Sequence, residues 1–245
     1  MGQPIISSFR RYEVKYFLTE QQRSALLPEL EQYFRMDEYG LHTISNLYYD
    51  TERYDITRES IDRPVYKEKL RVRAYGVPQK DTGQVFVELK KKYDHVVYKR
   101  RIALPVGEAR RFLEGGPIPE GVDTQIAREI QYFMERHQPR PRVYLGYQRI
   151  ALAGIENPEL RITMDQNLLW RMEELDLCLG SYGQHILPEN MTLMEIKVPG
   201  AMPLWLAQLL SRHQIYRCSF SKIGACYSRF ILPDIFDAKV VTTHV

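Results

Sequence analysis

The chain has three cysteines in 245 residues, Cys178, Cys218 and Cys226, and none is in CxxC spacing. An odd number of unpaired cysteines argues against a disulfide scaffold and fits reduced thiols. Apolar runs stay well short of the roughly 18 residues that a membrane helix needs. The opening MGQPIISSFRRYEVKYF has no apolar core of a secretory leader, and Ile6 stands where a myristoylation signal requires Ser or Thr. The expectation is a soluble, cytoplasmic protein with no membrane segment of its own. The six histidines show neither HxxxH nor HExxH spacing, which argues against zinc. Walker A and GxGxxG motifs are absent. Ser219 to Lys222 spell SxxK, but without the KTG and SDN partners of a serine nucleophile. Charge of one sign is also lacking: 34 basic against 31 acidic residues leave only +3. That balance disfavours a nucleic-acid coat and shifts attention to where the charge lies.

What is present is 44% apolar residues, enough for a real core, and a peculiar stretch from 65 to 104. Lys67, Lys69, Arg71 and Arg73 occupy every second position of a strand-like run, so all four share one face. A second run repeats the device with Glu88, Lys90 and Lys92, while Val85, Val87 and Leu89 point the other way. A third adds Lys99 and Arg101 in step. Like charges two residues apart on a strand lie about 7 Å from each other and repel by roughly 2 kcal/mol at an effective dielectric near 20. Cross-strand neighbours add to this. At this Lys+Arg frequency the four-in-register run arises by chance on the order of 0.1 times. A solvated sheet face accounts for any one of these lysines; the cluster points to a bound polyanion.

The rest of the chain supplies a frame. Arg11, Glu13 and Lys15 alternate with Tyr12, Val14 and Tyr16 as a half-polar strand. Thr19 and Gln22 form a capping box for a helix whose apolar stripe reaches about residue 35. Strands follow at 43 to 50, 142 to 152, 159 to 170 and 191 to 198, with Arg149, Arg161, Asp165, Glu195 and Lys197 on polar faces. Helices are predicted near 51 to 60, 106 to 114, 123 to 136, 203 to 213 and 221 to 232; residues 173 to 190 read as irregular or as a short strand, and the tail from about 234 to 245 as loose. Eight strands without a βαβ rhythm argue for one α+β domain over 1 to 245 with an antiparallel sheet. Polar positions recur from first strand to last, so the expectation is an eight-stranded antiparallel β-barrel with a charged interior, a tunnel covered outside by helices.

Eight segments carry a resemblance: RYEVKY (11–16), YYDT (48–51), KEKLRVRAYG (67–76), VFVELKKK (85–92), YKRRIAL (98–104), RITMD (161–165), MEIKVPG (194–200) and FSKIG (220–224). In this order they resemble the VTC domain, the polyphosphate polymerase domain of the vacuolar transporter chaperone complex. That domain belongs to the triphosphate tunnel metalloenzymes, alongside the CYTH proteins. The resemblance implies phosphate contacts from Lys15, Arg71, Arg73, Lys90, Lys99, Arg149, Arg161, Lys197 and Lys222, and a divalent metal, manganese or magnesium, on Glu195. Lys99, Arg71, Arg73 and Lys222 would carry catalysis. Lys69, Lys67, Lys92 and Arg101 share the phase, and Glu13 or Glu88 would assist Glu195. Asp165 reads as the structural partner of a nearby arginine, and Tyr147 as packing in preference to stacking on a base.

ATP and inorganic polyphosphate are the implied partners, with no nucleic acid. The chain carries no SPX domain and no transmembrane helix, so any membrane attachment would come from a separate partner. Its first strand has one glutamate where CYTH proteins carry two, which weakens a two-metal hydrolase. Polyphosphate polymerase, triphosphate hydrolase of the same fold and non-catalytic polyphosphate-binding module remain the three readings at this point.

Overall fold

The computed structural model describes residues 11–94 and 96–234, with Arg11 through its backbone. In chain order, β1 (Arg11–Thr19) leads into α1 (Glu20–Leu30), β2 (Phe34–Met36), β3 (His42–Asp50) and α2 (Asp55–Ile61). Three long strands follow, β4 (Tyr66–Tyr75), β5 (Gln84–Tyr93) and β6 (Val96–Pro105), then α3 (Val106–Leu113) and α4 (Thr124–His137). Next come β7 (Arg140–Gly154), β8 (Arg161–Arg171), β9 (Gln184–His185), β10 (Met191–Pro199), α5 (Leu204–Arg212), β11 (Arg217–Cys218) and α6 (Lys222–Cys226). Among the described residues, no helix is long and apolar enough to cross a membrane.

Contacts divide the chain into two units. The first takes the residues up to His42 with Gln148–Asn167 and Leu187–Ser219. Its strands run in the antiparallel order β11-β1-β10-β8-β7, with β2 also on β7. The apolar positions of β1, β8 and β10, among them Tyr16, Leu18, Ile162, Met164, Met194 and Ile196, are buried under Leu26 and Leu30 of α1 and Leu206, Leu209 and Leu210 of α5. Each such side chain contributes roughly 1.5–3 kcal/mol. Thr19 starts α1 by accepting from Gln22 N at 3.2 Å, while the Gln22 side chain accepts from Thr19 N at 3.0 Å.

The second unit takes Thr43–Tyr147, Leu168–Ile186 and the residues from Phe220 on. Its order is β7-β3-β4-β5-β6, with β9 on the end of β8. Leu70, Val72, Val85, Val87, Leu89, Ile102 and Leu104 form one face, buried against Ala109, Phe112 and Leu113 of α3 and Ala127, Ile130 and Phe133 of α4. With the apolar side sealed by helices, the alternate positions of the same strands stay on the opposite face.

Two expectations are corrected. The eight-stranded closed barrel is not formed by hydrogen bonding among the described residues: nine strands follow a linear order whose ends are β11 and β6, with β2 and β9 off that path. The helix begun at Thr19 stops at Leu30 rather than near 35: Tyr33 N donates to Leu30 O at 2.9 Å in a tight turn, and Phe34 opens β2 instead. The loose tail, Asp234 excepted, lies outside the described residues, as do Met1, Gly2 and Ile6.

Between β8 and β10, the segment read as irregular is tied down by one side chain. The Arg171 guanidinium donates to the carbonyls of Glu174, Asp176, Gly180 and Tyr182 at 3.2, 3.0, 3.3 and 3.0 Å. It is stacked between the rings of Tyr144 and Tyr182, at 3.6 and 4.0 Å from their centroids.

Candidate functional site

In the second unit the antiparallel register turns the sequence alternation into cross-strand rows. Lys69 is opposite Lys90, which is opposite Lys99. The next row is Arg71, Glu88 and Arg101, and the one beyond Lys69 is Lys67, Lys92 and Val97. Lys67, Lys69, Arg71, Arg73, Lys90, Lys92, Lys99 and Arg101 are thus brought to one face.

Glu88 is the pivot, with a side chain only 2% exposed. Its Oε2 accepts from Arg71 Nε at 2.8 Å and lies 2.7 Å from Nη2. Lys99 Nζ lies 2.7 Å from Oε1, Arg101 Nε 3.7 Å from Oε1, and Arg73 Nε 3.9 Å from Oε2. Burial alone would raise the Glu88 pKa, but Arg71, Arg73 and Lys99 override it and hold it down at about 2. One carboxylate therefore serves four cations, and positive charge is left over.

The arginines are aimed from behind by neutral groups. Arg73 Nε donates to Asn46 Oδ1 at 2.9 Å and its Nη2 to Tyr147 Oη at 3.1 Å; Asn46 is locked in turn by its Nδ2 donating to Leu145 O at 3.0 Å. Arg71 Nη1 donates to Tyr48 Oη at 3.1 Å. Burial pushes the Tyr48 hydroxyl up, yet Arg71 and Lys69 outweigh it and bring it down to about 8. Burial, with Lys67 and Lys90 adding to it, pushes Lys69 down to about 8 against the pull of Tyr48. Lys222, first residue of α6, has its Nζ 4.8 Å above the Tyr147 ring, and Ser221, the cap of α6, lies 3.5 Å from Lys69 Nζ.

Cations in the other phase are treated differently. Lys91 meets Glu129 at 2.9 Å and Glu68 at 3.7 Å, and Arg100 meets Glu129 at 3.3 Å. Lys90, by contrast, has no carboxylate in ion-pair range among the described residues.

The first unit holds its own arrangement of carboxylates and bases. Lys15 pairs with Glu195, which is opposite Thr163, and Glu13 is opposite Lys197, itself opposite Arg161. Lys15 Nζ lies 2.8 Å from Glu195 Oε1 and 3.2 Å from Glu13 Oε1. Arg149 forks onto Asp165 at 2.6 and 2.7 Å and lies 3.8 Å from Glu195 Oε2. Asp165 is thus an arginine's structural partner. Arg161 Nε donates to Pro158 O at 3.2 Å. Glu13 and Glu195 are thus both met by Lys15, and Asp165 by Arg149, with Lys197 directly across from Glu13. The buried Thr163 hydroxyl, opposite Glu195, has no hydrogen-bond partner among the described residues.

The model of the VTC domain matches residues 10–231. The chain belongs to the VTC domain family. Its fold is similar to that of a proposed adenylate cyclase of Bacillus halodurans, at 16% identity and a TM-score of 0.53, over 89% of this chain and 95% of that one. A proposed adenylate cyclase of Vibrio parahaemolyticus matches at 14% identity and a TM-score of 0.45, over 88% and 96% of the two chains. A Pyrococcus horikoshii protein matches at 11% and 0.45, over 89% and 99%. A search of curated proteins finds no significant match. VTC-family membership supports a phosphate-transfer or triphosphate-binding role.

The family implies a divalent metal, and the two clusters of this VTC domain differ as hosts. Glu88 does not fit, because four cations already occupy its surroundings. Glu195 with Glu13 fits better: their carboxylate oxygens and the unpartnered Thr163 hydroxyl opposite Glu195 are the hard oxygen donors such a cation prefers. Among the described residues no group of three or more His, Cys, Asp or Glu side chains converges, so such an ion would keep most of its water.

Sequence reasoning passed over Asn46 and Tyr48 as site residues, and weighed Tyr147 only as packing or as a base-stacking ring. Tyr147 is buried, but its hydroxyl also holds Arg73. The available signal was the alternation of Asn46, Tyr48 and Asp50 on β3, which puts three polar groups on one face of a largely buried strand.

Proposed function

We propose that this VTC domain is a metal-dependent polyphosphate polymerase, which transfers the γ-phosphate of ATP to a polyphosphate chain and releases ADP. The observation that carries the proposal is the Lys69–Lys90–Lys99 row beside the Arg71–Glu88–Arg101 row. Like charges directly opposite each other destabilise a sheet, and a bound string of phosphates removes that cost.

Phosphoryl transfer asks a protein for alignment and charge neutralisation more than for covalent help. A terminal oxygen of the acceptor chain, already ionised at neutral pH, attacks the γ-phosphorus. The bond from that phosphorus to the bridging oxygen breaks, and ADP leaves with the electron pair. Arg71 and Arg73 have the planar fork for bidentate phosphate contacts, and Glu88, Asn46, Tyr48 and Tyr147 hold them ready. Lys69, Lys90, Lys99 and Lys222 act as point charges on the chain. Lys15, Arg149, Arg161 and Lys197 are assigned further phosphate contacts. A divalent cation, manganese or magnesium, on Glu195 with Glu13 would supply neutralisation of phosphate oxygens.

Incubation with ATP, manganese and a short polyphosphate primer tests the proposal, with polymer resolved on a gel and ADP by chromatography. A ladder that grows as ADP appears is the expected result, lost in Lys99→Ala and Glu195→Gln. Free phosphate without chain growth would identify a hydrolase instead. Tight polyphosphate binding with no ADP under any metal would identify a non-catalytic binding module.

A further inference from the structure

The charged face of β4 and β5 is not uniform along its length. Lysines dominate at Lys67, Lys92, Lys69 and Lys90, arginines follow at Arg71 and Arg73, and the far end is aromatic, with Phe86 opposite Arg73 and Tyr75 two residues further on. The Phe86 and Tyr75 rings meet edge to face, 5.5 Å between centroids. Arg101 leans towards this end: its guanidinium carbon sits 3.4 Å from the Phe86 centroid and 5.8 Å from that of Tyr75. Such contact leaves one planar face of the guanidinium covered by a ring and the other turned away from it. Arg101 Nε is a buried donor without a hydrogen-bond partner among the described residues, and its distance to Glu88 is 3.7 Å. Tyr75 is 48% exposed.

We propose that Tyr75, Phe86 and Arg101 form a stacking platform for the purine base of the bound nucleotide. This fixes the nucleotide's direction, with its base at the Phe86 end and its γ-phosphate at the Lys69–Lys90–Lys99 row. Guanidinium planes and aromatic rings both stack on bases, and a base ring tolerates either partner. The spacing agrees. Four strand residues separate Phe86 from Lys90, about 14 Å, a length that an extended triphosphate with its ribose spans. The terminal phosphate would then face Lys67 and Lys92, where a polyphosphate acceptor can approach without passing the base. The inference rests on the phosphate-binding role proposed above.

The test compares ATP with tripolyphosphate, which has the phosphates but no base, by titration calorimetry on the full chain. Phe86→Leu keeps an apolar side chain and removes one ring; Tyr75→Ala removes the exposed one. Both variants are expected to weaken ATP about tenfold while tripolyphosphate stays within about twofold of the parent protein. Equal loss for both ligands, or no loss for ATP, overturns the platform and leaves the phosphate site standing. A parent protein that binds neither ligand overturns the phosphate site and the platform with it.

Discussion

Glu88 and Arg71 are joined by two contacts to one carboxylate oxygen, 2.8 Å from Nε and 2.7 Å from Nη2, while the other oxygen of Glu88 faces Lys99 at 2.7 Å. This carboxylate is what allows the cations of β4 and β6 to share one sheet face in the absence of ligand. Glu88→Gln removes it and leaves four cations to repel one another. The expected outcome is a loss of about 3 kcal/mol in thermal or denaturant unfolding. Tripolyphosphate should raise the melting temperature of the variant by more than it raises that of the parent.

Acid titration follows from the same group. The pKa of Glu88 is depressed, so its contribution to stability is complete above the unfolded carboxylate value of about 4.3 and is lost as pH falls towards about 2. Unfolding free energies measured between pH 5 and pH 2, in buffers of constant ionic strength, should fall less steeply in Glu88→Gln than in the parent.

Lys90 illustrates a trade between stability and binding. It stands between Lys69 and Lys99, and its own row offers it only repulsion. Lys90→Met should stabilise the free protein by about 0.5–1 kcal/mol while weakening tripolyphosphate roughly tenfold. Calorimetric titration with parallel melting curves checks both signs at once; a variant that is destabilised and binds normally contradicts the assignment.

Above neutral pH, Lys69 and Tyr48 act together. Each has its pKa lowered to about 8, so Lys69 loses its charge and Tyr48 becomes anionic as pH rises through that value. Both changes oppose a polyanion. Affinity for tripolyphosphate should therefore fall above about pH 8, with net proton uptake on binding at pH 8.5, read from the buffer dependence of the binding enthalpy. The free protein behaves oppositely: its folded state releases these protons before the unfolded state does, so the two groups add stability between about pH 8 and 10. Tyr48→Phe should remove part of the uptake.

Arg171 gives a purely structural expectation. Truncation to Ala deprives four backbone carbonyls of their donor and empties the space between Tyr144 and Tyr182. The cost should be about 2–4 kcal/mol, with early proteolysis in the segment from 172 to 183.

The polar face was legible because strand side chains alternate with a period of two, so Lys67 to Arg73 declare their common side without any partner. Helix starts were legible too, since Thr19 with Gln22 is a local hydrogen-bond pair. What could not be read was the register. Nothing in the spacing of Lys69, Lys90 and Lys99 says that they stand opposite one another, nor that Glu88 falls in the arginine row. The supports Asn46 and Tyr48 were missed for the same reason, because they meet Arg73 and Arg71 only when β3 lies beside β4. β2, β9 and β11 are two or three residues long, too short for any periodic signal. Closure was over-read: recurring polar positions show which side is wet, while closure depends on which end strands hydrogen-bond.

The most direct test of the in-register cations is a crystal structure of the chain with tripolyphosphate. Phosphate oxygens are expected in hydrogen-bond contact with Arg71, Lys90 and Lys99. A tripolyphosphate bound elsewhere on the chain, with these three side chains in contact with solvent alone, would contradict the account.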